Sequence, residues 1–203
     1  MKVASFSLRT ATLDDAPVLE RLIADSARGL SRHDYTDTQI EAALGTAWGV
    51  DTELIRDGTY FAVEADAGIV ACGGWSFRKT LFGADAHAGR QSGLLDPGRD
   101  SARIRAFFVR PQWARRGIGQ TLLERCETAA LARGFRSAEL LATLPGYRLY
   151  KSSGYVGDER VEYPLPGGIT IEFVPMRKDL ANGRPGGTPL RNDNAPPGKG
   201  VAR

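Results

Sequence analysis

The sequence predicts a mixed α/β domain built on one largely antiparallel sheet. Two observations carry that expectation. Short strand-like runs rich in Val, Ile and Phe recur along the chain, separated by segments whose apolar residues return every three to four positions. Consecutive runs are also joined by tight Gly- and Pro-containing turns, at positions 66–68 and 166–168, which suit antiparallel neighbours rather than long parallel crossovers.

In chain order, Phe6 to Arg9 reads as an opening strand. "TLDD" (residues 12–15) is a capping box for a helix reaching about Arg28, with Val18, Leu19, Leu22 and Ile23 on one face. Thr36 and Gln39 form a second box before a short helix. "TYFAVEADAGIVACGGWSF" (residues 59–77) divides into two strands, and Gly73-Gly74 inside the second marks a bulge or a close backbone approach. Residues 81–100 form a long Gly- and Asp-rich loop. Ile104 to Val109 is a strand closed by Pro111. A helix follows Gly117, carrying Ile118, Leu122, Leu123, Cys126 and Ala130 on one face and ending at Gly134. "SAELLA" (137–142) is a strand, residues 145–153 a short helix, and the segment from Tyr155 to Met176 a hairpin.

The 203 residues suit one domain, expected over 1–180, followed by a Gly-, Pro- and Arg-rich tail over 181–203 that buries too little apolar surface to order itself. Residues 177–203 carry a net charge of +4 against +3 for the whole chain, so the preceding residues sum to −1. The basic pI of about 9.0 thus belongs to the tail and argues against a nucleic-acid-binding face on the fold. No apolar run approaches a membrane span or a signal peptide, and Cys72 and Cys126 lack metal or disulfide spacing. A cytoplasmic protein without metal, nucleic-acid or membrane partner is expected; His87 with Asp85 is too little for a metal site.

The most informative stretch is "RIRAFFVRPQWARRGIGQ" (103–120). A strand ends at Val109, and two arginines lead into Gly-Ile-Gly at a helix start. Unpaired first-turn amides, the positive helix terminus, bare glycine backbone and Arg115/Arg116 together make a phosphate cradle. A P-loop is excluded because GxxxxGK[ST] is absent, and a dinucleotide fingerprint because Leu122 stands where its third glycine belongs.

The span from Ile104 to Tyr155 resembles the GNAT (Gcn5-related N-acetyltransferase) family: a strand ending in Val-x-Pro, a [QR]xxGx[GA] loop opening a helix, and a later "LYKSSGY" (149–155). The resemblance implies helices on both faces of the sheet, two splayed strands admitting the cofactor, and transfer of an acetyl group from acetyl-CoA to a small-molecule or peptide amine. It implies that Arg115, Arg116, Gly117, Ile118, Gly119 and Gln120 hold the pyrophosphate, and that Phe107, Phe108 and Val109 pair with the pantetheine arm, a Val109-region amide serving the oxyanion. Thr143 stands where many members carry an asparagine, and Tyr150 would protonate the departing thiolate, with Tyr147 one turn earlier as fallback. Ala114 replaces the first [QR] of the loop. Glu139 and Glu64 are the carboxylates nearest to hand as a general base. The acceptor pocket is expected around Gly29–Thr36, with His33, Trp75 and the 81–100 loop. The alternatives are an acyl-CoA-binding sensor without turnover and, ranked last, a nucleic-acid binder using the tail. Pairing through an exposed sheet edge would give a homodimer.

Overall fold

The structure, a computed structural model, describes residues 5–85 and 93–181. The expected tail beyond Ala181, His87 and the middle of the 81–100 loop lie outside them. The elements are β1 (Ser7–Thr10), α1 (Ala16–Leu30), α2 (Asp37–Ala43), α3 (Thr52–Arg56), β2 (Tyr60–Ala65), β3 (Gly68–Ser76), β4 (Ala102–Val109), α4 (Ile118–Ala132), β5 (Ser137–Thr143), α5 (Tyr147–Ser152), β6 (Val161–Leu165) and β7 (Ile169–Asp179).

Local chemistry accounts for the helix starts. The Thr12 amide donates to Asp15 Oδ2 at 2.7 Å, closing the box ahead of α1. At α2 the Gln39 amide donates to Thr36 Oγ1 (3.2 Å) and the Thr36 amide to Gln39 Oε1 (2.9 Å). Helix α3 is an addition to the expected order. Its five residues are too few to show a period, but Asp51 caps it through the Glu53 amide at 3.1 Å.

The seven strands run in the order β1-β2-β3-β4-β5-β7-β6. Every neighbouring pair is antiparallel except β4–β5, which is parallel and pairs only at Ala102–Ala138 and Arg103–Glu139. Beyond Arg103 those two strands diverge. The Gly73-Gly74 expectation holds in both its forms. The β3–β4 register shifts between Cys72 and Gly74, and a Cβ on Gly73 would lie 2.7 Å from the Phe107 ring.

Two apolar layers cover the sheet. On one face Ile118, Leu122, Leu123, Cys126 and Ala130 of α4 pack with Trp75, Phe135 and Tyr155. On the other, Leu19, Leu22, Ile23 and Ala27 of α1 join Ile40, Leu54, Tyr60 and Ile171. Each full burial of such a Leu or Ile contributes about 1.5–3 kcal/mol, so the α4 and α1 stripes fix both helices to the sheet. Cys72 and Cys126 are free thiols buried in these layers, and burial pushes the Cys72 thiol up to about 12.

Tyr35, in the α1–α2 connection, ties the second layer to the end of β5. Its hydroxyl donates to the Glu172 carbonyl at 2.7 Å and accepts the Leu144 amide at 2.8 Å. Tyr35→Phe leaves both backbone groups without this partner at a half-buried position. We expect a loss of about 1–3 kcal/mol in urea unfolding, with an unchanged m-value.

Candidate active site

The site begins with a fault in β4. Ala106 adopts φ +56°, in the left-handed region, and the register passes from Cys72–Phe108 directly to Gly74–Arg105. Two β4 residues, Ala106 and Phe107, therefore oppose Gly73, which is a β-bulge. A non-glycine residue held there costs about 1–3 kcal/mol and needs surrounding support. Tyr60, fully buried, supplies it: its Oη lies 3.2 Å from the Ala106 carbonyl oxygen and 3.2 Å from Cys72 Sγ. The bulge turns β4 away from β5, and a cavity of about 780 Å³ opens between them, lined from both faces of the sheet.

On the α4 face the wall is the Val109-to-Ile118 connection. A 3-10 turn at Pro111–Trp113 leads to Arg115 (φ +62°) and Gly117 (φ +83°), the residue that caps α4. Left-handed residues alternating with ordinary ones turn successive amides toward one side, and the first turn of α4 adds amides without intrahelical acceptors. Arg115, Gly117, Ile118, Gly119 and Gln120 line the cavity; Arg116 does not, its guanidinium lying 4.9 Å from the centre of the Trp113 ring. Gly119 lets α5 approach, since a Cβ there would meet Leu149 Cδ2 at 3.1 Å. Gln120 receives the Ser153 hydroxyl at 2.8 Å, so its side chain links α4 to α5.

Tyr150 on α5 lines the cavity, its ring edge-on to Phe107 (6.2 Å) and Tyr155 (5.8 Å). Burial pushes its phenol well above the ordinary range, so it stays protonated. Tyr147, the expected alternative, lies off the cavity lining: its hydroxyl meets exposed Asp158, which also receives Lys151 at 2.6 Å. Thr143 lines the cavity too, its Oγ1 accepting the Gly146 amide at 3.3 Å. Phe107, Phe108 and Val109 form the β4 wall, and the Val109 amide is engaged, donating to Ser26 Oγ of α1 at 3.1 Å.

Other expected residues lie elsewhere. Glu139 is paired with Arg103 at the closed end of the β4–β5 pair, and Glu64 with Arg9 at 2.8 Å on the β1–β2 edge; neither lines the cavity. His33 is exposed. Trp75 is core, edge-on to Phe77 and Phe135 at 6.0 Å each. Phe82 of the expected 81–100 loop lines the cavity, as do Leu30 and Ser31 of the expected Gly29–Thr36 stretch; sequence reading missed Ser26, Trp48, Arg105 and Arg148, which line it too. Arg148 had a legible signal, two residues before Tyr150 on a six-residue helix; the others come together only through tertiary packing.

The family model of the acetyltransferase (GNAT) domain matches residues 56–157, half of the chain, spanning the bulged strand, the cradle and Tyr150. The chain belongs to the GNAT acetyltransferase family. It is an acyltransferase. Among solved structures it is similar to a GCN5-related N-acetyltransferase from Rhodopseudomonas palustris, with 21% identity over 88% of this chain and 98% of that one and a TM-score of 0.64. It is also similar to the PaiA N-acetyltransferase of Thermoplasma acidophilum, solved in complex with coenzyme A (13% identity, 86% and 99% coverage, TM-score 0.59). YncA of Salmonella typhimurium, solved with its cofactor acetyl-CoA, shares 14% identity over 86% and 94% of the two chains, with a TM-score of 0.56. At these identities the likeness is one of fold. No curated protein sequence matches the chain.

In this GNAT domain α1 forms one cavity wall through Ser26, Ala27 and Leu30, and Gly29 sets its distance from the β4 corner. A Cβ on Gly29 would lie 2.3 Å from Pro111 Cγ, a ring atom that cannot rotate away. Alanine gains up to about 1 kcal/mol of helix propensity, but overpacking at such a contact costs about 1–3 kcal/mol. Gly29→Ala is therefore expected to lower the melting temperature by several degrees in a thermal scan.

Proposed function

We propose that the protein is an N-acetyltransferase that moves an acetyl group from acetyl-CoA directly to an amine within a ternary complex. The observation that carries this reading is the placement of buried Tyr150 on a cavity that joins the α4 cradle to the opposite face of the sheet. The residues fit the cofactor class. Arg115 and the amides of Gly117–Gln120 suit a pyrophosphate, and the free edge of β4 at Phe107–Val109 suits an amide-bearing arm. Arg148 adds a second cation to the same wall. We assign the acetyltransferase domain to residues 1–180 and 181–203 to a tail, in a reducing cytoplasm that keeps both thiols free.

Acetyl-CoA supplies an activated thioester carbonyl and a sulfur leaving group. The chain's own role is to orient and to hold protons. Tyr150 keeps its Oη proton because burial disfavours the phenolate, so a donor stands ready for the leaving sulfur. The Ser26 hydroxyl satisfies the Val109 amide until a ligand carbonyl takes its place.

Tyr150→Phe is expected to lower kcat about 10²-fold or more while the acetyl-CoA Kd in calorimetry stays within twofold. Because the folded-state pKa is raised, the wild-type rate should show no alkaline loss from Tyr150 near the ordinary phenol value of about 10. Unchanged kcat in the variant would remove Tyr150 from the mechanism. Acetyl-CoA binding without CoA release from any amine would instead identify a sensor.

Ser26→Ala frees the Val109 amide. A net hydrogen bond of about 0.5–1.5 kcal/mol corresponds to acetyl-CoA binding roughly two- to tenfold tighter. Weaker binding would mean that the hydroxyl itself contacts the ligand.

A further inference from the structure

Opposite the cradle the cavity changes character. Its wall there is Leu30 of α1, Trp48 in the α2–α3 connection, Leu81 and Phe82 after β3, Leu141 of β5 and Phe173 of β7. The aromatic side chains are held by packing. Phe82 stands edge-on to Tyr163 at 4.6 Å and 5.7 Å from Phe173, and Trp48 lies 5.6 Å from Tyr35. The ionic group beneath this wall is Arg105, bound to Asp51 at 2.6 Å and to the Gly83 carbonyl at 2.8 Å. Arg115 and Arg148 line the cavity as well. Among the described residues the fixed charges on the lining are therefore cationic, and Arg105 beneath the apolar wall already has its counter-ion.

Resting on the acetyl-transfer reading, we infer that the acceptor is a weakly basic amine on an aromatic or apolar body, entering uncharged. Transfer into an apolar pocket disfavours an ammonium by up to roughly 10³–10⁵-fold, as the pKa shifts of buried amines show. The attraction of aromatic rings for a cation returns only about 30-fold. Desolvation wins, and among the described residues no carboxylate lines the cavity to offset it. An alkylamine with a pKa of about 10.4 is uncharged in only about one molecule in a few thousand at pH 7, whereas an arylamine is almost wholly so. The pocket therefore selects by basicity as well as by shape.

The test uses two isomers, 4-ethylaniline and 2-phenylethylamine, which have the same atoms but differ in basicity, with spermidine as a polycation. CoA release is followed at saturating acetyl-CoA between pH 6 and 9, beside calorimetric acetyl-CoA binding. At pH 7 the KM for 4-ethylaniline should be at least about tenfold below that for 2-phenylethylamine. Its kcat/KM should be flat with pH, while that of 2-phenylethylamine rises about tenfold per unit. Phe82→Ala should raise the 4-ethylaniline KM about tenfold and leave the acetyl-CoA Kd within twofold. Acetyl-CoA binding with transfer only to 2-phenylethylamine or spermidine, or with no acetylation of 4-ethylaniline, overturns the inference and leaves the acetyl-transfer reading in place. A 2-phenylethylamine profile that is flat below pH 8 also overturns it, because the protein would then be taking the proton. Failure of acetyl-CoA to bind at all removes both.

Discussion

The bulge at Ala106 is the constraint on which the site depends. A regular β4 would continue its pairing with β5, and the sheet would close. Instead the left-handed Ala106 inserts one residue opposite Gly73, and Tyr60 stands behind it with its hydroxyl on the Ala106 carbonyl. Gly73 has no Cβ because the Phe107 ring occupies that space, and Gly74 none because Thr59 and Tyr60 do. Residues from three strands, β2, β3 and β4, thus cooperate to hold β4 and β5 apart. The cost of the strained residue, about 1–3 kcal/mol, is set against burial of the whole Tyr60 side chain.

The cradle follows from the same fault. Because β4 ends turned away from β5, the chain leaves it toward α4 rather than across the gap, and Pro111 packs on Gly29 of α1. Helix α4 then begins with its first-turn amides at the cavity wall. One strand defect therefore sets the cavity, its cationic end and its separation from α1.

The sequence made much of this legible. Gly73-Gly74 announced a close approach, the Arg115-to-Gln120 run a helix start suited to anions, and the capping boxes at Thr12 and Thr36 both formed. These signals are local, so they survive without tertiary information. What failed is what tertiary packing decides. Trp75 alternates to the core face, and Glu139 sits at the closed end of its strand pair, where Arg103 claims it. Period alone does not say which end of a strand pair opens. Helix α3 was too short to register, although Asp51 was the kind of residue that starts one. Trp48 reaches the cavity from the α2–α3 connection, and no spacing rule joins it to Phe82, whose loop was expected there.

The Asp51–Arg105 pair shows why the acceptor wall keeps its shape. An ion pair this deeply buried is a weak source of stability, because desolvating two charges offsets most of their attraction. Its value here is in location. Asp51 caps α3 through the Glu53 and Leu54 amides, and Arg105 projects from the strand that carries the bulge to reach the Gly83 carbonyl. The pair thereby fixes three things that no hydrophobic contact would place as sharply: the start of α3, the middle of β4, and the segment bearing Leu81 and Phe82. An apolar substitute of equal volume would fill the space without linking the Asp51 cap to Gly83. Geometry at the acceptor wall is thus tied, through one arginine, to the same strand that opens the site.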